Sequence, residues 1–93
     1  MDTGSDELMI TVKFFASLRE AVGHDHVTLD ADTLPRLRSA LAERLSKEAQ
    51  QALWADGVRL AINQQFLASD WRTCDDSVGP SAEIAFLPPV TGG

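Results

Sequence analysis

The chemistry available to this chain is concentrated in its last residues. Gly93 carries a carboxylate that no side chain shields, and Gly92 before it is the most permissive backbone unit a chain can have. Pro88 and Pro89 stiffen the approach into an extended path. Fully extended, Pro88, Pro89, Val90, Thr91, Gly92 and Gly93 form an arm reaching roughly 20 Å. Such an arm can enter a channel too narrow for side chains and deliver its carboxylate to a buried site; the alternative is that the two glycines are a frayed end. At neutral pH that carboxylate is ionised and a poor electrophile. Activation with ATP converts it to an acyl-adenylate, and a sulfur nucleophile that displaces the adenylate leaves a terminal thiocarboxylate. The sequence contains neither a Walker-type phosphate loop nor a Rossmann glycine fingerprint. The activation, and the ATP it consumes, are therefore assigned to a partner enzyme. The chain reads as substrate and carrier, not catalytic alone, with no permanently bound cofactor.

The other reactive side chains add little to this. Cys74 is followed by Asp75 and Asp76, whose charges disfavour a thiolate, and the transferred sulfur would sit on Gly93. A single cysteine excludes an intramolecular disulfide and a four-cysteine metal or iron–sulfur site. His24 and His26 share one face if their segment is a strand, but two ligands without a third do not define a metal site.

Charge narrows the partners. Eight Lys and Arg against fourteen Asp and Glu give a net charge of −6. That disfavours nucleic acid and anionic membranes and favours a partner with a basic surface. No run approaches the apolar length of a membrane span. The opening Met1-Asp2-Thr3-Gly4-Ser5-Asp6-Glu7 is acidic, unlike the basic start of a signal peptide, so the expected location is the cytoplasm.

The elements that must hold out this arm follow from periodicity. Residues 1–8 read as a flexible leader, 9–87 as one domain, and 88–93 as the tail. The first strand, over 8–15, puts Ile10, Val12 and Phe14 on one face and Met9, Thr11, Lys13 and Phe15 on the other. A short helix over 16–22 follows, with Ser17 and Glu20 spaced as a capping box and Gly23 as its stop. His24 to Asp30 alternates as a second strand. Leu34, Leu37, Leu41 and Leu45 mark one amphipathic helix over about 33–47, and 48–55 continues as a short helix stopped by Asp56-Gly57. Val58, Leu60 and Ile62 give a third strand, 64–67 a brief fourth, 68–81 a loop, and 82–87 the last strand. A helix on a small mixed sheet of about five strands, with short extra helices, buries Ile10, Val12, Phe14, Leu37, Leu41, Leu45, Leu60, Ile62, Ile84 and Phe86 together. The α+β class and a β-grasp architecture are the simplest closed solution.

Three segments resemble a known family. Ile10-Thr11-Val12-Lys13-Phe14-Phe15-Ala16-Ser17-Leu18-Arg19-Glu20 resembles the opening of the small, sulfur-carrying subunit of molybdopterin synthase. Ala61-Ile62-Asn63-Gln64 resembles the end of that family's third strand. Ile84-Ala85-Phe86-Leu87-Pro88-Pro89-Val90-Thr91-Gly92-Gly93 resembles its most specific motif, a strand running into Pro-Pro-Val-x-Gly-Gly. The resemblance runs from about residue 9 to the end, strong at both ends and weak in the middle. One departure is the turn Val78-Gly79-Pro80-Ser81-Ala82-Glu83, where the family usually has an Asp-Gly-Asp-Glu-like sequence.

The resemblance implies a ubiquitin-like β-grasp whose Gly93 is adenylated by a ubiquitin-activating-like adenylyltransferase and sulfurated by a sulfur donor. The tail would then enter the large catalytic subunit, where sulfur passes to a pyranopterin precursor to build the dithiolene that holds molybdenum. Two copies of each subunit would form a heterotetramer. Phe15 and Leu87, off the core faces of adjacent strands, would supply an apolar docking patch unless loops or Phe66 cover them. Arg59 and Lys13 lie on the same outer face, as rim charges or simply solvated. Three other readings stay open: a sulfur carrier for thiamine-thiazole synthesis, a protein modifier attached through Gly93, and a plain β-grasp binding module.

Overall fold

A computed structural model describes residues 9–79 and 81–89. The leader over 1–8, and Val90, Thr91, Gly92 and Gly93 of the arm, lie outside the described residues. The chain order is β1 (Met9–Phe14), α1 (Ser17–Val22), β2 (His26–Asp30), α2 (Leu34–Arg44), α3 (Lys47–Leu53), β3 (Arg59–Ile62), β4 (Gln65–Phe66) and β5 (Glu83–Leu87). The five strands form one sheet in the order β2-β1-β5-β3-β4. β5 pairs in parallel with β1 and antiparallel with β3. The last strand is thus the central one, as in a β-grasp, and the chain leaves for the arm from the middle of the sheet.

Strand alternation sorts the two faces as the sequence implies. Ile10, Val12, Phe14, Leu29, Leu60, Ile84 and Phe86 point to the helices and are buried. The Phe14 and Phe86 rings stack across the parallel pair at 5.9 Å. Each such side chain contributes roughly 1.5–3 kcal/mol before chain entropy is charged against it. Ile62 faces the same way, but β4 is only two residues long, so it stays half-buried.

Three local expectations are corrected. The helix expected over 33–47 already ends at Arg44, and the short helix expected over 48–55 begins at Lys47. Leu45 turns extended after Leu41 accepts its N–H, and Ser46 Oγ caps α3 by accepting the Ala49 N–H at 3.1 Å. The leucine stripe runs straight through this corner, so periodicity alone hides it. The Ser17–Glu20 capping box does not form: Ala16 is the N-cap, at φ 53, with no side-chain cap, while Gly23 ends α1 in the left-handed region. Finally, β2 begins at His26 and leaves His24 in the preceding bend, so the two histidines are not on one strand face.

The described residues over 68–79 form a loop, yet it is not loosely held. Arg38 on α2 donates from Nη1 to the carbonyls of Trp71 and Cys74, at 2.9 and 2.7 Å. The Leu34 N–H reaches Asp76 and the Val78 N–H reaches Asp32. Trp71, 2% exposed, packs against Phe86 and Trp54, each at 4.8 Å. Cys74 packs half-buried against the same core.

Candidate functional site

The site is the root of the arm and the sheet face around it. β5 ends at Leu87 because the two prolines that follow have no N–H to give to the ladder. Pro88 is half-buried and Pro89 exposed. The Arg59↔Leu87 pair closes the β3 side, and the Phe15 N–H donates to the Phe86 carbonyl at 3.2 Å on the β1 side. β3 therefore grips the strand up to Leu87, the residue before the prolines, and the β1 side grips it up to the Phe86 carbonyl.

Pro89 also approaches the domain at one point. Gly57 lies so close that a Cβ built on it would sit 2.8 Å from the Pro89 Cβ. Gly57 has φ +89, a conformation suited to glycine. The turn carrying it is tied down by Arg72, whose Nη1 donates to the Trp54 carbonyl oxygen at 2.9 Å and to Asp56 Oδ1 at 3.0 Å. Arg72 is fixed in turn by a two-point pair with Asp70, Nε to Oδ1 at 3.0 Å and Nη2 to Oδ2 at 2.7 Å. The Arg72 side-chain hydrogen bond, helped by the Arg72 N–H, pulls the Asp70 carboxyl down to about 2, and the two carboxylates raise the Arg72 guanidinium.

The outer face brings the proposed docking residues together. Register places Arg59, Ala61, Ala85, Leu87, Thr11, Lys13 and Phe66 on the side away from the helices. Phe15 is 44% exposed and Leu87 half-buried. Phe66 does not cover them: it is 53% exposed and extends the apolar surface beyond β3. The two basic side chains expected on this face, Arg59 and Lys13, are both engaged. The Arg59 guanidinium lies 4.4 Å from the Phe66 ring centroid, and Lys13 Nζ pairs with Glu83 at 2.6 Å. Asn63 fixes the corner where β3 turns into β4, exchanging hydrogen bonds with the Glu83 backbone at 2.8 and 3.0 Å.

Sequence reasoning missed Phe66 as part of the surface, as well as the Gly57–Pro89 contact and the Arg72 clamp. Phe66 was legible as an apolar residue in a short edge strand. Asp56-Gly57 carries a turn signal that by itself marks only a helix stop. A groove of about 230 Å³ beside the root includes Gly57, Arg59, Asp70 and Arg72 in its lining. Its two arginines are already bound to Phe66 and to Asp70 and Asp56. Among the described residues no three of His, Cys, Asp and Glu gather as a metal-binding group.

Comparison with known proteins agrees with this geometry. The model of the ThiS family matches residues 12–93. The molybdopterin synthase sulfur carrier subunit of Escherichia coli K12 is 41% identical over 92 residues, covering 91% of this chain and 100% of that protein. Among solved structures, SAMP1 from Haloferax volcanii shares the fold with a TM-score of 0.73 at 23% identity, over 91% of this chain and 99% of that one. In the complex of subunits 1 and 2 of the molybdopterin-converting factor from Helicobacter pylori, one chain matches at TM-score 0.62 and 25% identity, over 91% of this chain and 99% of that one. A family match over most of the chain and high identity to a full-length relative settle the affiliation: the chain is a member of the ThiS family of β-grasp proteins.

Proposed function

We infer that this chain is the sulfur carrier subunit of molybdopterin synthase. The observation that carries this reading is that the family match runs through the terminal Gly92-Gly93, on a fold whose central strand leads directly into them. A partner adenylyltransferase joins the Gly93 carboxylate to the α-phosphorus of ATP and releases pyrophosphate. A sulfur donor then displaces AMP and leaves the thiocarboxylate. Inside the large catalytic subunit this sulfur attacks the pyranopterin precursor, and water returns the carrier to its carboxylate.

The chain's own contribution is presentation. Phe15, Leu87 and Phe66 dock on the large subunit, with Arg59 held over Phe66 at the edge of the contact. Pro88, Pro89, Val90, Thr91 and Gly92 enter the active site as a slender strand, held through backbone bonds and small apolar contacts. The Helicobacter pylori relative was solved as a complex of two different subunits, which supports a large partner here. The assembly is two of each subunit. No helix among the described residues is long and apolar enough to cross a membrane, and we place the reaction in the cytoplasm, where Cys74 stays a thiol.

Intact-mass spectrometry tests the reading. Chain incubated with its activating enzyme, ATP and a sulfur donor should gain one sulfur in place of one oxygen. The product should then convert pyranopterin precursor when mixed with the large subunit. Sulfuration without that conversion points to the thiazole pathway. No sulfuration, with Gly93 found joined to target lysines, makes the chain a modifier.

A further inference from the structure

Pro89 and Gly57 lie far apart in sequence, yet they touch at the one place where the arm leaves the domain. We propose that the Asp56-Gly57 turn is an aiming rest: it sets the direction in which the arm departs, and Arg72 holds the rest in place. This deepens the carrier reading and rests on it.

The argument turns on which side of the contact yields. A Cβ at Gly57 would lie 2.8 Å from the Cβ of Pro89, closer than real carbons approach. The Pro89 Cβ belongs to a ring fused to the backbone, so it cannot rotate away as the tip of a long side chain would. On the Gly57 side, Arg72 grips the Trp54 carbonyl and the Asp56 carboxylate, and Asp70 grips Arg72 at two points. On the other side, Pro89 is exposed. An added methyl group therefore displaces Pro89, and with it the direction of the residues that follow. Misplacing a reacting group by about 1 Å lowers rate by up to roughly 100-fold even when the change is remote.

The fold supplies its own control. Gly23 has φ +88, nearly the value at Gly57, but a Cβ there meets nothing within 4 Å. Gly57→Ala and Gly23→Ala thus carry the same backbone penalty, and only the first reaches the arm.

The experiment compares wild type, Gly57→Ala, Gly23→Ala, Pro89→Gly and the double variant Gly57→Ala/Pro89→Gly. Each is converted to the thiocarboxylate and mixed with the large subunit and pyranopterin precursor. Thermal midpoint, Kd for the large subunit and single-turnover sulfur transfer are measured. The two alanine variants should lose similar thermal midpoint and keep wild-type Kd. Gly57→Ala alone should slow transfer, by roughly 10-fold or more. In the Pro89→Gly background the same change should have no further effect, because the atom it strikes is gone. Asp56→Ala loosens the rest without a clash at an exposed position, and should slow transfer by roughly threefold at unchanged Kd. Equal transfer by Gly57→Ala and Gly23→Ala overturns the inference while the carrier reading stands. Wild type that cannot transfer sulfur overturns the carrier reading and the inference with it.

Discussion

The two faces of the sheet are made by the same strands, residue by alternate residue, and have different work. The helix side carries Ile10, Val12, Phe14, Leu60, Ile84 and Phe86, closed over by α2, α3 and Trp71. The other side keeps Thr11, Lys13, Ala85 and Leu87 half-buried, and leaves Phe15, Arg59 and Phe66 exposed. Burial on the first face supplies the stability. The second face is free to bear apolar side chains that the fold itself does not consume. An exposed phenylalanine on its own is unremarkable. Here Phe15 follows β1 on one side of Leu87, and Phe66 lies beyond Arg59 of β3 on the other, so both are on the sheet face from which the arm departs. The contrast teaches that stability and presentation can be altered separately, by substitutions one residue apart.

The sharpest way to test that separation lies beyond both faces. Deleting Gly93 should abolish sulfur transfer and leave the thermal midpoint within about 1 °C, since among the described residues no buried core residue lies past Phe86. Next comes Phe86→Ala on the helix side, expected to lose about 3–5 kcal/mol in a denaturant titration, because it removes the ring between Phe14 and Trp71. Its neighbour should behave oppositely. Leu87→Asp, or Phe15→Asp, should weaken large-subunit binding by roughly 30-fold, about 2 kcal/mol, with little change in midpoint. If Leu87→Asp unfolds the chain and leaves the affinity of the folded fraction intact, the division of labour fails.

The smallest expected effect concerns pH. The Asp70 carboxyl titrates at about 2, below its ordinary 3.8, because the Arg72 side chain hydrogen-bonds its ionised form. A depressed carboxyl contributes stability that is complete above the unfolded value and is lost as pH falls through the folded one. Asp70→Asn should therefore flatten the fall in stability between about pH 4 and pH 2, and the two curves should converge toward the acid end. Parallel curves throughout that window would mean that the clamp is not held by this charge. The measurement is thermal midpoint against pH for both chains.

How much of this was legible depended on whether a feature repeats. The helix-facing side of β1 and β5 announces itself through period-two alternation, and the arm through its composition. The break at Leu45-Ser46 was hidden because Leu45 continues the leucine stripe while its backbone turns extended. Trp71 was hidden because a lone aromatic among Asp, Ser and Gly has no period to reveal it. The Gly57–Pro89 contact joins two segments that only the completed sheet brings together, so no local pattern encodes it. The capping-box spacing at Ser17 and Glu20 was present, but the chain leaves β1 through Ala16 at φ 53, and the helix starts one residue too early for Ser17 to act as its cap.

The central position of β5 has a consequence for how the protein is made. β1 and β3 have no other shared partner, so a nascent chain broken off before Glu83 leaves both with an open edge and lacks Ile84 and Phe86. Such a product exposes strand edges and apolar surface of the kind that chaperones and proteases recognise. The sheet is thus completed only once β5 has left the ribosome, and until then β1 and β3 each keep an edge open to solvent.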